Sequence, residues 1–302
     1  MTATALTQPR IASRLRRFRP GWAHAFLLPA LAAIGLCFLF PLVVVIRDSF
    51  YGGSVADLVP VGLDNYRFVF EDPVFWQSLL NNLKLFATVP ITTVLALLIA
   101  LVLNDRIRGW RQYRAVVFLP FILPSTVIGL TFSFVLALNG TLNTILHDIG
   151  LGFLAHDWLG TSQWAIPSIG GVVIWQQLGF GVVVFSAALL ALPPEVTEAA
   201  RIDGASWSQI QRRILIPQIR GIIEFFMVLQ AITVLSQVFN YVYVLTNGGP
   251  GTSSSVLELY IWKNGFALGA IGTAATVSVM LLALATILIA IYMRLRTRHA
   301  DA

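Results

Sequence analysis

The sequence predicts an all-α, polytopic membrane protein with six transmembrane helices. Three observations support this prediction: 57% of the residues are hydrophobic, only 11% are charged, and the apolar residues fall in six long runs. A soluble domain carries about 25% charged residues, so this chain has too few charges to be solvated by water alone. The bilayer is therefore the expected solvent for most of its length.

Each apolar run is close to or above the roughly 20 residues that a helix needs to cross the hydrocarbon core. The predicted spans cover residues 23–46, 83–103, 115–138, 165–192, 219–245 and 270–293. Several runs contain proline, which a span tolerates where neighbouring helices satisfy the freed carbonyls. The first run has a basic flank like that of a signal peptide. Because it exceeds the roughly 7–15 apolar residues of such a peptide, we predict an uncleaved span.

The distribution of basic residues orients the predicted bundle. Sixteen of the 20 Lys and Arg residues fall on one side of the membrane, and the other four are Arg47, Arg67, Lys84 and Lys263. By the positive-inside rule, both termini and the loop at residues 193–218 are expected in the cytoplasm. The net charge of +6 is then expected to anchor the topology near anionic headgroups rather than to bind nucleic acid.

The loop at residues 193–218 contains signals for two short helices. Pro194 suits the first turn of a helix, and Gly204 is expected to end that helix. Ser206 then opens a second helix, because Gln209 three residues later completes a capping-box pattern. A loop that serves only as a connector would not need two capped helices.

Small residues on this helical hairpin are expected to let another protein approach closely: they are Ala199, Ala200 and Ala205, with Ile202 beside them. The hairpin resembles the cytoplasmic coupling loop of ABC importer permeases, whose signature is Glu-Ala-Ala, a Gly four residues after the last Ala, and a distal Ile-x-Leu-Pro. The matching residues are Glu198-Ala199-Ala200, Asp203-Gly204 and Ile214-Leu215-Ile216-Pro217, with Ile216 in place of Leu. The resemblance implies that Glu198, Ala199, Ala200, Asp203, Gly204 and Pro217 couple the chain to an ATPase. The alternative is an amphipathic loop that packs on its own bundle.

Further motifs resemble the carbohydrate-uptake branch of these permeases. They are Gly62 to Tyr66, Asp72 to Trp76, Asn81-Asn82, Pro120 to Pro124, and Leu245 to Gly251. Within this branch the chain looks like the first permease of the maltose- or glycerol-3-phosphate-type heterodimer, over roughly residues 20–295. The resemblance implies an ABC type I importer permease fold in a bacterial inner membrane. It also implies a second homologous permease, two cytoplasmic ABC ATPase subunits and an extracytoplasmic solute-binding protein as partners.

Polar residues in the predicted spans mark a candidate pathway for a solute. A polar side chain is costly in hydrocarbon and tends to face a cavity or another helix. The candidates are Trp175, Gln176 and Gln177 in the fourth span, and Ser236, Gln237 and Asn240 in the fifth. The family resemblance implies that these six pathway residues lie at or beside positions that line the path. Neutral amides and an indole suit a sugar or related polyol, whereas the alternative role is hydrogen bonding between helices.

The sequence contains no pattern typical of a catalytic centre. It has no Gly-x-x-x-x-Gly-Lys-Ser/Thr phosphate loop, so ATP hydrolysis is expected on a separate subunit. His147-Asp148 and His156-Asp157 lack a standard ligand spacing, and we predict no metal and no cofactor. The single cysteine, Cys37, excludes an intramolecular disulfide.

Three other classes of protein fit the sequence less well than an importer permease. An ion-coupled secondary transporter would place acidic or paired charges deep in its spans, where this chain has almost none. A membrane-embedded enzyme would need a cluster of His, Cys or carboxylate groups, and a pure scaffold would not need amides in its spans. We predict that residues 1–75 hold the basic tail, the first span and an outer loop. Residues 76–295 then form the permease core, with the coupling loop at 193–218.

Overall fold

A computed structural model describes residues 20–54, 57–105 and 108–300 of the chain. The basic tail at residues 10–19 and Arg106, which both contribute to the predicted orientation, lie outside the described residues. The chain divides into two compact units, Met1–Val45 and Ile46–Ala302.

The first unit contains the first predicted span. It consists of α1 (Pro20–Ile34), a π-helical turn (Gly35–Leu39) and the beginning of α2 (Phe40–Asp48). The segment Phe26–Asp48 has a mean hydropathy of 2.6 over 23 residues, which is apolar and long enough to cross a bilayer.

The second unit begins with the end of α2, followed by a short antiparallel hairpin of β1 (Tyr51–Ser54) and β2 (Asp57–Pro60), and the other elements that the structure describes in this unit are helical. Its helices are α3 (Asp64–Glu71), α4 (Pro73–Leu85), α5 (Thr88–Asn104), α6 (Trp110–Ile122), α7 (Ser125–Val135), α8 (Thr141–Asp148), α9 (Ala165–Leu190), α10 (Pro194–Ile202), α11 (Trp207–Ile210), α12 (Ile216–Gln218), α13 (Arg220–Ser236), α14 (Phe239–Leu245), α15 (Leu257–Trp262) and α16 (Ile271–Ala300). A 3₁₀ turn at Gly152–Leu154 and π turns at Gln211–Leu215 and Lys263–Ala267 complete the unit. The hairpin was not predicted, because two strands of four residues are too short to show an alternating pattern of apolar and polar residues.

Four of the six predicted spans, 23–46, 83–103, 165–192 and 270–293, coincide with single helical segments, whereas the predicted spans 115–138 and 219–245 are broken into α6 with α7 and α13 with α14. Within the described residues, four helical segments are long and apolar enough to cross a membrane, and the count reaches six if each of two bent helix pairs is one span. The bent pairs are Trp110–Ile122 with Ser125–Val135, at 97°, and Trp207–Gln218 with Arg220–Ser236, at 69°. One of the four segments runs from Pro73 to Asn104, so α4 and α5 together form a single long span.

Helix α9 packs closely against both α5 and α6 in the second unit, and two of its glycines allow this close contact. A Cβ atom at Gly179 would lie 2.3 Å from the carbonyl oxygen of Val117 on α6. A Cβ atom at Gly181 would lie 2.6 Å from the Cβ of Ala96 on α5. A residue larger than glycine would therefore push α6 or α5 away from α9.

Two fully buried amides hold the end of α4 against the segment that precedes α15. Asn81 Nδ2 donates to the Ser255 carbonyl at 2.8 Å. Asn82 accepts from the Leu257 N–H at 2.8 Å and donates to Glu258 Oε2 at 3.1 Å. Burial raises the pKa of Glu258 to about 7, although its hydrogen bonds with backbone and with Asn82 act in the opposite direction. The Asn81-Asn82 motif and the segment from Ser255 to Glu258 thus form one structural unit, which we call the amide lock.

Candidate transport pathway and coupling surface

The first feature of the pathway region is a break between α6 and α7. Leu123 and Pro124 have extended backbone angles, and the two helices meet at 97°. Proline disfavours the helical conformation of the residue before it, which explains why α6 ends just before Leu123. The break leaves the Leu123 carbonyl without a helical partner inside the span.

Gln176 on α9 satisfies this carbonyl. Its Nε2 donates to the Leu123 oxygen at 2.8 Å, and its Oε1 accepts a hydrogen bond from the Tyr241 hydroxyl on α14. The side chain is only 5% exposed. Gln176 therefore braces three helical segments, which corresponds to the helix-bonding alternative rather than to direct contact with a solute.

A second break lies between α13 and α14. Helix α13 ends at Ser236, Gln237 leaves the helical conformation with φ −123° and ψ −6°, and α14 begins at Phe239. The Ser236 hydroxyl bonds back to the Ile232 carbonyl at 2.8 Å. Gln237 is exposed, and its side chain forms no hydrogen bond with any other described residue.

One hydrogen bond links the two breaks directly: Asn240 Nδ2 on α14 donates to the Ser125 hydroxyl at 3.1 Å. Ser125 is the first residue of α7, immediately after Pro124. Asn240 is thus engaged within the bundle but remains partly exposed. Broken helices near the middle of a span are a recurring feature of solute sites in transporters.

The three consecutive candidates on α9 do not face one cavity. Successive residues of a helix are about 100° apart, so residues 175 to 177 spread over more than half of its circumference. Trp175 is 43% exposed and packs edge-on against Phe132 of α7, with 5.1 Å between ring centroids. Gln177 is 8% exposed and makes no hydrogen bond to another described side chain or backbone group. Of the six pathway residues, only Trp175, Ser236 and Gln237 are exposed.

The coupling hairpin folds as the sequence predicts. Helix α10 begins at Pro194, and Gly204 has φ +80°. The Ala205 N–H bonds to the Ala200 carbonyl at 3.0 Å, and the Gly204 N–H bonds to the Arg201 carbonyl at 3.1 Å. These two bonds form a Schellman motif, in which glycine supplies the left-handed conformation that ends the helix.

Helix α11 follows with the predicted cap. Gln209 Oε1 accepts from the Ser206 N–H at 2.7 Å, as in a capping box. A Cβ atom at Gly204 would have no other atom within 4 Å. The turn therefore has room for a side chain, and glycine is favoured there by backbone conformation rather than by crowding.

The exposed face of this hairpin differs in part from the predicted one. Ala200 and Ala205 pack inward against a buried cluster that includes Ile210 and Leu215. Ala199 is exposed, and Ile202 is 86% exposed, the highest value among the large apolar side chains that the structure describes. Ala200 and Ala205 are thus partly covered by their own bundle, and the prediction that the three alanines let a partner approach closely stays a prediction. Glu198, Asp203 and Pro217 are also exposed.

Comparison with known proteins assigns the family. Residues 92–299 match the family described as "Binding-protein-dependent transport system inner membrane component". The chain belongs to this family. The predicted permease fold and transport function are therefore confirmed, and the helical segments make the permease a multi-pass membrane protein. The comparisons favour this prediction over an ion-coupled transporter.

Individual relatives cover nearly the whole permease. It is 34% identical to the probable ABC transporter permease protein PH1215 of Pyrococcus horikoshii, over 89% of this chain and 93% of the relative. It is 32% identical to the lactose transport system permease protein LacF of Rhizobium radiobacter, over 91% of this chain and 94% of the relative.

A solved structure shares the fold. It is described as a bacterial alginate ABC transporter in complex with an alginate pentasaccharide-bound periplasmic protein. The TM-score is 0.80 at 22% identity, over 93% of the permease and 95% of that chain. The ABC type I importer permease fold is thereby confirmed, whereas the division of the chain at residue 75 stays a prediction.

Sequence reasoning missed several residues that shape the pathway region. Tyr241 and Ser125 hold Gln176 and Asn240 in place, but nothing in their local sequence distinguishes them from ordinary span residues. The only signal was Pro124, which marks a carbonyl that needs a partner elsewhere. The partner itself lies 53 residues away along the chain.

Proposed function

We propose that the permease pairs with a second, homologous permease to form the membrane path for a sugar or related polyol. The observation that carries this proposal is the break at Gln237, where an amide without a hydrogen-bond partner is exposed beside a helix end. Trp175 adds an exposed indole on the neighbouring helix α9. Amides bind hydroxyl groups as donors and acceptors, and an indole packs on the apolar face of a sugar ring. The similarity to the lactose transport system permease LacF supports the same solute class.

The proposed complex contains two further kinds of subunit or partner. Two cytoplasmic ABC ATPase subunits hydrolyse ATP, since the permease has no phosphate loop, and an extracytoplasmic solute-binding protein delivers the solute. Both termini and the coupling hairpin lie in the cytoplasm of a bacterial cell, as the basic residues favour. Closure of the ATPases on ATP displaces the hairpin, and the inward-facing cavity then opens outward to receive solute.

The solute class is tested by purifying the complex with its binding protein and identifying the bound ligand by mass spectrometry. We expect a neutral sugar or polyol, and uptake of that compound into proteoliposomes that contain the complete complex and ATP. An amino acid, an inorganic anion or a metal ion as the transported ligand would contradict the proposed class.

The coupling role of the hairpin is tested with Gly204→Asp. At φ +80° an aspartate costs about 1 kcal/mol in backbone strain, but its side chain projects into open space, where an ATPase would have to accommodate it. Gly150→Asp is the matched control, because Gly150 has φ +79°, equally open surroundings and a position in a predicted outer loop. We expect only Gly204→Asp to lose the ATPase during purification. Equal retention by both variants would show that the hairpin is not the docking surface.

The orientation is tested with single cysteines in a Cys37→Ser background. A cysteine at Ala205 is expected to resist an impermeant thiol reagent in intact cells and to react after lysis. A cysteine at Asp148, in the last turn of α8, is expected to react in intact cells. The reverse pattern would invert the proposed topology.

A further inference from the structure

Asp105 joins the end of α5 to both helices of the coupling hairpin. It is the C-cap residue of α5. Its Oδ1 accepts from Arg201 Nη2 at 3.4 Å, and its Oδ2 accepts from the indole N–H of Trp207. Arg201 lies in the last turn of α10, and Trp207 is the first residue of α11. One carboxylate therefore holds both sides of the turn at Gly204.

The position of this carboxylate is unfavourable for its own helix. The carboxyl end of a helix carries partial negative charge, so an acidic residue there costs typically 0.3–1 kcal/mol. Asp105 does not stabilise α5 as a cap. Its two carboxylate oxygens instead accept hydrogen bonds from Arg201 and Trp207, which lie 96 and 102 positions further along the chain.

Apolar packing alone does not fix α10 to the bundle. A cavity of about 540 Å³ lies between α10 and the ends of α5 and α9. Asp105, Glu198, Arg201 and Gln211 are among the residues that line it. Ala200 contributes an apolar contact from α10 to the bundle, but an alanine buries little area. Apolar contacts to α5 come mainly from the second half of the hairpin, through Ile210 and Leu215, so the bonds to Asp105 add a direct connection from α10 and the start of α11.

The same span reaches the opposite end of the molecule. The segment Pro73–Asn104 begins at α4, where Asn81 and Asn82 form the amide lock, and it ends next to Asp105. Along its length α5 packs against α9 through Ala96, opposite Gly181. A displacement of the hairpin that is transmitted through Asp105 would therefore act on a span that contacts both ends of the bundle.

We propose that Asp105 is a positioning residue that transmits motion of the coupling hairpin into the α4–α5 span. This inference rests on the proposed coupling function of the hairpin and adds the intramolecular connection to it. Asp105 bonds the hairpin to α5 through Arg201 and Trp207, and Ile202 remains exposed and available to the ATPase. Loss of Asp105 then uncouples ATP hydrolysis from transport without releasing the ATPase.

The test compares Asp105→Leu with Glu224→Gln in the reconstituted complex. Glu224 is a matched control, because its ion pair with Arg220 joins a carboxylate to an arginine, as the Asp105–Arg201 pair does, and the side chains of the two pairs are nearly equally exposed. The Glu224–Arg220 pair differs in that both of its residues lie on α13. We expect Asp105→Leu to retain the ATPase and to lower the solute transported per ATP by more than about fivefold, because it removes two hydrogen bonds and one lost bond of about 1 kcal/mol corresponds to about fivefold. Glu224→Gln is expected to keep the ratio of the unmodified complex.

Trp207→Phe provides a second and milder variant. It removes only the indole N–H that Asp105 binds and keeps an aromatic ring in place. It should lower the same ratio, and its combination with Asp105→Leu should be no worse than Asp105→Leu alone, since both remove one connection. If Asp105→Leu does not fold, this variant still tests the proposal.

Two results would overturn the proposal for Asp105. An unchanged ratio in both variants would show that the hairpin moves α5 by another contact. Release of the ATPase by Asp105→Leu would place Asp105 in the docking surface instead. Retention of the ATPase by Gly204→Asp is a separate result, because it contradicts the coupling function of the hairpin itself.

Discussion

Replacing Ile202 by alanine tests the docking surface at its most exposed apolar side chain. Ile202 is 86% exposed, so its side chain contributes little to the stability of the permease by itself. Truncation to alanine removes three carbon atoms, and about 0.8 kcal/mol is lost for each buried carbon. If the ATPase buries this side chain, the variant should lose about 2 kcal/mol of binding free energy. That loss corresponds to about a 30-fold weaker affinity.

The measurement is a titration of purified ATPase onto the permease complex in nanodiscs. Ile149→Ala is the matched control, because Ile149 is also exposed, at 62%, and follows α8 in a predicted outer loop. The control should bind the ATPase normally. Both variants should keep the melting temperature of the unmodified protein, since alanine favours a helix and neither side chain is buried.

Equal ATPase affinity of Ile202→Ala and the unmodified permease would refute this reasoning. Ile202 would then remain exposed in the complex, and the docking surface would have to lie elsewhere. A lower melting temperature accompanied by weaker binding would also count against it, because the loss would then come from folding.

Three further predictions concern the spans and the amide lock. Gln237→Leu should impair uptake at an unchanged melting temperature, and normal uptake by this variant would exclude Gln237 from the path. Gln176→Leu should lower the melting temperature, because it leaves the Leu123 carbonyl unsatisfied at a cost of about 1–3 kcal/mol. Gly179→Ala should lower the free energy of unfolding by about 1–3 kcal/mol, as expected for overpacking between α9 and α6. Gly171→Ala on the same helix is the control, because its added Cβ meets no atom within 4 Å and the change should be neutral or stabilising. Equal melting temperatures of the two variants would contradict the close approach of α6 to α9. Glu258 has a pKa of about 7 in the folded protein, above its ordinary value of 4.5, so stability should fall by up to about 3 kcal/mol as pH rises from about 4.5 to about 7. Glu258→Gln should abolish this fall in melting curves across that range, and an unchanged pH profile would show that the carboxyl is not the group responsible.

Local signals explain why the coupling hairpin could be predicted in detail. Proline at the start of a helix, glycine with positive φ at its end and a Ser–Gln capping pair each act within one or two turns. The structure places Pro194, Gly204 and Gln209 in those roles. The six spans were predictable for a similar reason, since hydrophobicity over about 20 residues does not depend on neighbouring helices.

Contacts between distant segments could not be predicted in this way. The inward packing of Ala200 and Ala205 depends on the cluster around Ile210, which sequence spacing alone does not reveal. The sequence does not predict the role of Asp105, because its hydrogen-bond partners lie 96 and 102 positions away along the chain. Breaks in the spans were also ambiguous, because Pro120 lies inside α6 whereas Pro124 immediately precedes the first residue of α7.

The two span breaks differ in backbone geometry and in how their polar groups are used, since Leu123 and Pro124 are extended whereas Gln237 has φ −123° and ψ −6°. At Leu123 the freed carbonyl is satisfied by Gln176, so that amide serves the structure. At Gln237 the amide side chain is exposed and has no partner among the described residues. The end of α13 also presents backbone carbonyls that lack partners within the helix, and it carries the partial negative charge of a helix carboxyl end. Such a site attracts hydroxyl donors and disfavours anions. The chemistry of the second break is therefore consistent with the proposed sugar or polyol pathway, and Gln237 is the amide whose replacement tests it most directly.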